Sequence, residues 1–310
     1  MTARMMGSAA FEAAQQFIEK NARPLEVARF RQAFAAGPAG TVFAALKKYQ
    51  NPDGGFGQAL EPDLRARESS ALGTSVAFQV IRATPAPPEP DLVARAVRFL
   101  LETLDRVEGH WRIIPIAAEQ SPHAPWWHQT GREAAWNGFS LNPSAELLGY
   151  LCDYAELVPA DVLALLAGRV LGHLGGLQEI GMHDLLCCIR LFQTRSLPGE
   201  VRTPLTRELN RLIPGNVACL PAQWSEYSLR PLQVVTSPES PFLPELKDAV
   251  EANLNYEIST QNPDGSWTPN WTWGGAYPED WLMARREWSG IITLEKLLLL
   301  KTFGRIAEIS

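Results

Sequence analysis

The chain has 310 residues, 46% of them hydrophobic and 20% charged, with a formal net charge of −6. That length allows one large domain or two ordinary ones with a sizeable core, and the composition excludes wholesale disorder. The acidic balance speaks against a nucleic-acid surface, and four cysteines are too few for a disulfide scaffold.

The first residues hold no apolar stretch of signal-peptide length, so no leader is expected. Residues 8–19 then read as a first helix. Val27, Phe30 and Phe34 fall at helical spacing in 26–36, and Gly37-Pro38 closes that run. Thr41 is a candidate cap for 41–50, where Val42, Leu46 and Tyr49 share a face. Leu72, Val76 and Val80 recur in 69–82. Asp91 is a candidate cap for a helix carrying Val93, Val97, Leu100 and Leu104. Asn142-Pro143 reads as a cap followed by Pro at the first helical position, and Leu147, Leu148 and Leu151 follow. Asp161 opens a helix to about Leu174. Residues 183–194 place Leu185, Cys188, Ile189 and Phe192 on one side. Thr203-Pro204 repeats the cap-then-Pro signature before Leu205, Leu209 and Leu212. Residues 244–260 carry Leu246, Val250 and Leu254, and 289–303 is rich in Ile and Leu. No strand alternation competes with these eleven segments, so the fold class is all-α. The Pro- and Gly-rich stretches between them (86–90, 121–127, 236–244 and 262–287) do not change its character, and one domain over 1–310 is expected. No run of 18 apolar residues occurs, so no membrane-spanning helix is expected. Cys152, Cys187, Cys188 and Cys219 fit reduced thiols of a cytoplasmic protein. No strongly basic amphipathic helix argues for membrane attachment, which leaves peripheral contact open.

One string recurs. Gln50-Asn51-Pro52-Asp53-Gly54-Gly55-Phe56 returns as Gln261-Asn262-Pro263-Asp264-Gly265-Ser266-Trp267, with Gln-Asn-Pro-Asp-Gly identical and an aromatic at the same place. Glu108-Gly109-His110-Trp111 is a degenerate third copy. Asn-Pro-Asp-Gly is turn chemistry, because Pro fixes φ and Gly accepts positive φ.

These heptapeptides resemble the repeat of the terpenoid cyclase and protein prenyltransferase superfamily, Q-x-x-D/E-G-x-W/F. The strings from Asn21 to Phe30, Tyr49 to Asp63 and Pro122 to Trp127 resemble bacterial proteins of this length labelled prenyltransferase-like or squalene-cyclase-like. The resemblance implies an α6–α6 toroid, in which each Gln ties helix ends and the aromatic stacks on it. Six hairpins at roughly 50 residues each fit the length. The superfamily's catalytic motifs are absent: there is no D-x-D-D, no D-D-x-x-D, and no Asp-x-Cys pair ahead of a His.

Four groups are candidates for chemistry. Glu61 and Asp63 put two carboxylates just after the first repeat, either of which, raised in pKa by burial, would serve as a proton donor. The alternative is a salt bridge with Arg65. His123, Trp126, Trp127 and His128 share a Pro-stiffened loop, with His123 as acid or base and the indoles as pocket wall or as packing. His123 and His128 alone are a weak metal signal, and no metal is assigned. His183 and Cys187 stand i, i+4 and invite zinc, but their neighbours Leu185, Leu186 and Ile189 favour core thiols, with Asp184 as a cap. Trp267, Trp271, Trp273, Trp281 and Trp288 gather near Asp280, Arg285 and Glu287, with Trp288 read as core. Trp271, Trp273, Asp280, Trp281 and Arg285 are candidate ligand contacts, whether to a hydrophobic molecule, through π faces, or to a sugar.

The expectation is therefore a toroid that binds, and as an enzyme converts, a small hydrophobic isoprenoid-like molecule in a central cavity by acid-initiated chemistry. Asp63 or Glu61 would act as donor, with no cofactor and no nucleic acid. A carbohydrate-active α/α barrel with paired carboxylates and a non-catalytic interaction toroid are the two alternatives.

Overall fold

A computed structural model describes residues 3–136 and 138–307, with the side chains of residues 134 and 135 left aside. The described residues are largely helical, and no strand is named among them. The helices are α1 (Ser8–Asn21), α2 (Pro24–Phe34), α3 (Ala39–Leu46), α4 (Ala71–Ala83), α5 (Pro90–Thr103), α6 (Glu133–Trp136), α7 (Leu141–Asp153), α8 (Ala160–Gly176), α9 (Met182–Phe192), α10 (Gly199–Asn216), α11 (Pro231–Val234), α12 (Leu243–Ser259) and α13 (Pro278–Thr302). They form two compact units: Met1–Ala45 with Val217–Ser310, hereafter the terminal unit, and Leu46–Asn216, the middle unit.

In the middle unit α4 packs on α7, α7 on α8 and α9, and α10 on α8 and α9. Buried Leu147, Leu148 and Leu151 of α7 drive this packing, as do Leu185, Cys188 and Ile189 of α9. α7 and α9 approach closely at Gly149, where a Cβ would stand 3.3 Å from Leu191 Cα. In the terminal unit α1, α2 and α13 pack on one another and α11 packs on α12. Phe11, Phe30 and Phe34 cluster at ring separations of 5.1–6.1 Å.

Several helix starts differ from the sequence expectation: Thr41, Asp91 and Asp184 lie inside α3, α5 and α9, which begin at Ala39, Pro90 and Met182, so none of the three is a cap. α10 begins at Gly199, a turn before Thr203-Pro204, because the Pro198 carbonyl accepts from Val201 and Arg202. Pro204 then removes only the bond to exposed Glu200. α13 begins at Pro278, about three turns before 289, with Glu279 and Asp280 in its first turn. Asp280, Trp281, Arg285, Glu287 and Trp288 are thus helical residues, not loop residues.

Each recurrent heptapeptide is a closed turn with the same bonds. Gln50 Nε2 donates to Gly54 O and to Leu92 O, the third residue of α5, each at 2.9 Å. Gln261 Nε2 donates to Gly265 O and to Ala10 O, the third residue of α1, each at 2.9 Å. Asp53 Oδ1 accepts from Gly55 N at 3.0 Å, and Asp264 Oδ1 from Ser266 N at 3.0 Å. Phe56 N donates to Thr74 Oγ1 of α4 and Trp267 N to Thr293 Oγ1 of α13. Gly54 and Gly265 have φ of +94° and +86°. A Cβ would stand 2.4 Å from Arg95 O at the first and 2.2 Å from Ala13 C at the second, so glycine is required twice over. The third copy keeps part of the pattern: Trp111 is buried and donates through Nε1 to Leu100 O at 2.7 Å.

Candidate functional site

The sequence after the first turn, 61–66, meets the Pro-rich loop 121–124 in an isolated antiparallel bridge between Leu64 and His123. Arg65 N donates to Pro122 O at 2.9 Å, and Ala124 N to Asp63 O at 2.8 Å. Asp63 and His123 are each 3% exposed. Two of the three expected acid–base residues therefore share one buried bridge. Glu61 lies one turn before it, its carbonyl accepting from Leu64 N.

Short 3-10 turns place the rest of the loop, at Ile116–Gln120 and Pro125–Trp127. Trp127 packs with Trp136 (centroids 6.0 Å apart) against buried Leu64, Ala66, Leu72, Ile114 and Ala118. That is the packing role weighed for it, whereas Trp126 is 41% exposed. His123 and His128 face each other with ring planes 16° apart and centroids 5.9 Å apart. His128 Nδ1 lies 2.7 Å from Glu119 Oε1. Glu119 also accepts from Gln129 N at 2.7 Å and from Thr130 Oγ1 at 3.0 Å. Burial works to raise the Glu119 pKa, but these two hydrogen bonds and the His128 charge outweigh it and hold the carboxyl below its ordinary value. Sequence reasoning missed Glu119, although its signal is visible as a carboxylate four residues before one His and nine before another.

His183 and Cys187 do not converge in the same way. His183 is exposed, while Cys187 is buried with its thiol 3.6 Å from Glu146 Oε1 and 3.7 Å from Asn142 Oδ1. Burial, reinforced by Glu146, pushes this thiol well above its ordinary pKa, so it stays a protonated donor. Its acceptor, Glu146, is 2% exposed and also takes bonds from Ser75 Oγ, Gln79 Nε2, Tyr150 Oη and Arg190 Nη1. This five-donor carboxylate was missed as well. Its only sequence signal is one charge inside the apolar run of α7.

The tryptophan group lies in the terminal unit. Trp271 meets Trp288 and Tyr227 edge-on, at 5.2 and 5.7 Å. Trp273 is fully buried, 5.7 Å from half-buried Trp281. Asp280 is half-buried and Arg285 exposed. Trp288, expected in the core, is half-buried too. Nearby, Glu257 is buried between Arg230 Nη1 and Lys296 Nζ, at 3.0 and 2.7 Å. Burial works to raise its pKa, but Lys296 and then Arg230 outweigh it and lower the value.

No helix of the described residues is long and apolar enough to cross a membrane. Compared with known proteins, the chain matches no protein-family model and no curated protein.

Proposed function

We propose that this protein is a helical-hairpin toroid of the terpenoid cyclase and prenyltransferase kind that binds and converts a small hydrophobic, isoprenoid-like molecule by acid-initiated chemistry. The matched Gln50 and Gln261 ties, each reaching the third residue of another helix, support the architectural part. The observation that carries the chemical part is the Leu64–His123 bridge, which brings together the backbones of two buried titratable residues, Asp63 and His123. In this reading the Asp63 carboxyl is the group that donates a proton to an alkene or an ether oxygen.

The test is turnover of a panel of prenyl alcohols and diphosphates, with products identified by mass spectrometry. The wild-type chain should convert at least one member, and Asp63→Asn should lower that rate about 100-fold or more. Conversion at an unchanged rate in Asp63→Asn would remove the assignment. Failure of the wild type on the whole panel would shift the reading to a sugar substrate or an interaction scaffold.

A further inference from the structure

We propose that Glu119, His123 and His128 form a binding site for one divalent transition-metal ion, with Zn²⁺ the best fit to their donor set. The inference stands apart from the isoprenoid reading, since it concerns binding of the ion alone. One ligating atom from each residue, two imidazole nitrogens and a carboxylate oxygen, lie within 4.8 Å of one another. Among the described residues no other group of three His, Cys, Asp or Glu side chains converges this way. Two nitrogens and one oxygen are a donor set used for zinc, where three protein ligands leave a fourth position to water.

The first two ligands are held in place before any ion arrives. His123 is buried, and its Nδ1 lies 2.6 Å from the Ser121 carbonyl. A carbonyl only accepts, so Nδ1 is the donor in this contact and Nε2 is the nitrogen left to ligate an ion. Metal-binding imidazoles are set up in this way, with the distal N–H given to a carbonyl or carboxylate. Glu119 is anchored by Gln129 N on one oxygen and Thr130 Oγ1 on the other. The Gln129 side chain, itself buried, is tied through Nε2 to Pro115 O. The third ligand is the adjustable one. The His128 side chain is 49% exposed and can rotate. Tetrahedral zinc with ligands at about 2.0–2.1 Å needs donor atoms roughly 3.3–3.4 Å apart, which a small swing of His128 supplies. In the ion's absence His128 Nδ1 lies 2.7 Å from Glu119 Oε1, and the cation replaces that direct contact. An ion pair between Glu119 and His128 accounts for those two residues alone. It does not account for a buried third imidazole stacked on the pair with its Nδ1 given to a carbonyl.

The experiment is calorimetric titration of the chelator-treated full-length chain with ZnCl₂, with thermal melts in parallel. The expected result is one Zn²⁺ per chain and a higher Tm with the ion. Glu119→Gln and His128→Ala should each weaken binding about 100-fold or more, and Thr130→Ala about 10-fold. Cys187→Ser should leave binding unchanged. Glu119 and His128 are less buried than His123, so their variants keep the test meaningful where His123→Ala fails to fold. Absence of saturable one-to-one binding, retention of binding in His128→Ala, or its loss in Cys187→Ser would each overturn the site.

Discussion

The turns at 50–56 and 261–267 share five residues and one bonding scheme, yet each is fastened by a different extra tie. At the first, Arg95 of α5 reaches back and donates through Nη2 to Asn51 O and Pro52 O, at 2.8 and 3.1 Å. At the second, the corresponding residue of α1 is Ala13, which has no side chain to reach with. There the aromatic does the work: Trp267 Nε1 donates to Glu257 O at 2.9 Å, a bond Phe56 cannot make. The lesson is that the shared string specifies the path of the turn. The strength with which the turn is anchored depends on residues outside it.

The largest effect should come from the shared glycines. Gly54→Ala and Gly265→Ala each combine a positive φ with a Cβ inside van der Waals contact of helix backbone, which cannot step aside. Each should cost at least about 3 kcal/mol in denaturant unfolding. Gly109→Ala in the degenerate copy should cost about 1 kcal/mol, since its Cβ would meet only side-chain atoms of Arg169 and Leu165. Equal costs at all three would break the parallel. Next come the glutamines. Gln50→Ala and Gln261→Ala each delete two amide donations and should each cost about 1–2 kcal/mol. A difference above about 1 kcal/mol would mean that Arg95 or Trp267 carries one turn without its Gln. The smallest effect is a difference in acid response. Glu257 has a lowered pKa, so its ion pairs contribute stability in full above about 4.5, its ordinary value, and lose it as pH falls through the lower folded value. Trp267 hangs on the carbonyl of this residue. Hydrogen exchange should therefore report loosening at 261–267 before 50–56 as pH drops below about 4.5, and Glu257→Gln should remove the lag.

What the sequence disclosed follows from which forces have a period. Helices with one apolar stripe, such as α4, α5 and α12, repeat every three to four residues and are legible. The first three turns of α13 were not, because Trp281, Leu282, Met283 and Trp288 spread apolar surface around the helix and mimic a loop. Pro278-Glu279-Asp280 was the available signal for its start. Thr203-Pro204 misled in the other direction, since a proline tolerated early in α10 looks the same as one that begins a helix. The Gln-Asn-Pro-Asp-Gly turns were fully legible, being local chemistry. The approach of Asp63 to His123 was not, because a two-residue bridge has no periodicity and joins segments sixty residues apart. Glu119 was hidden for a related reason: it sits in a 3-10 turn too short to declare which way its side chains face.

The turns also bear on how the protein ages. Asp53-Gly54 and Asp264-Gly265 are pairings given to succinimide formation and isoaspartate, through attack of the glycine nitrogen on the aspartyl side-chain carboxyl. In the folded chain Gly54 N points at Asn51 O and Gly265 N at Asn262 O, at 3.0 and 2.9 Å, while each carboxylate is held by the residue after the glycine. Nucleophile and electrophile are both engaged elsewhere, so isomerisation is a property of the unfolded chain. Isoaspartate at these two positions would serve as a cumulative record of how often each turn has opened.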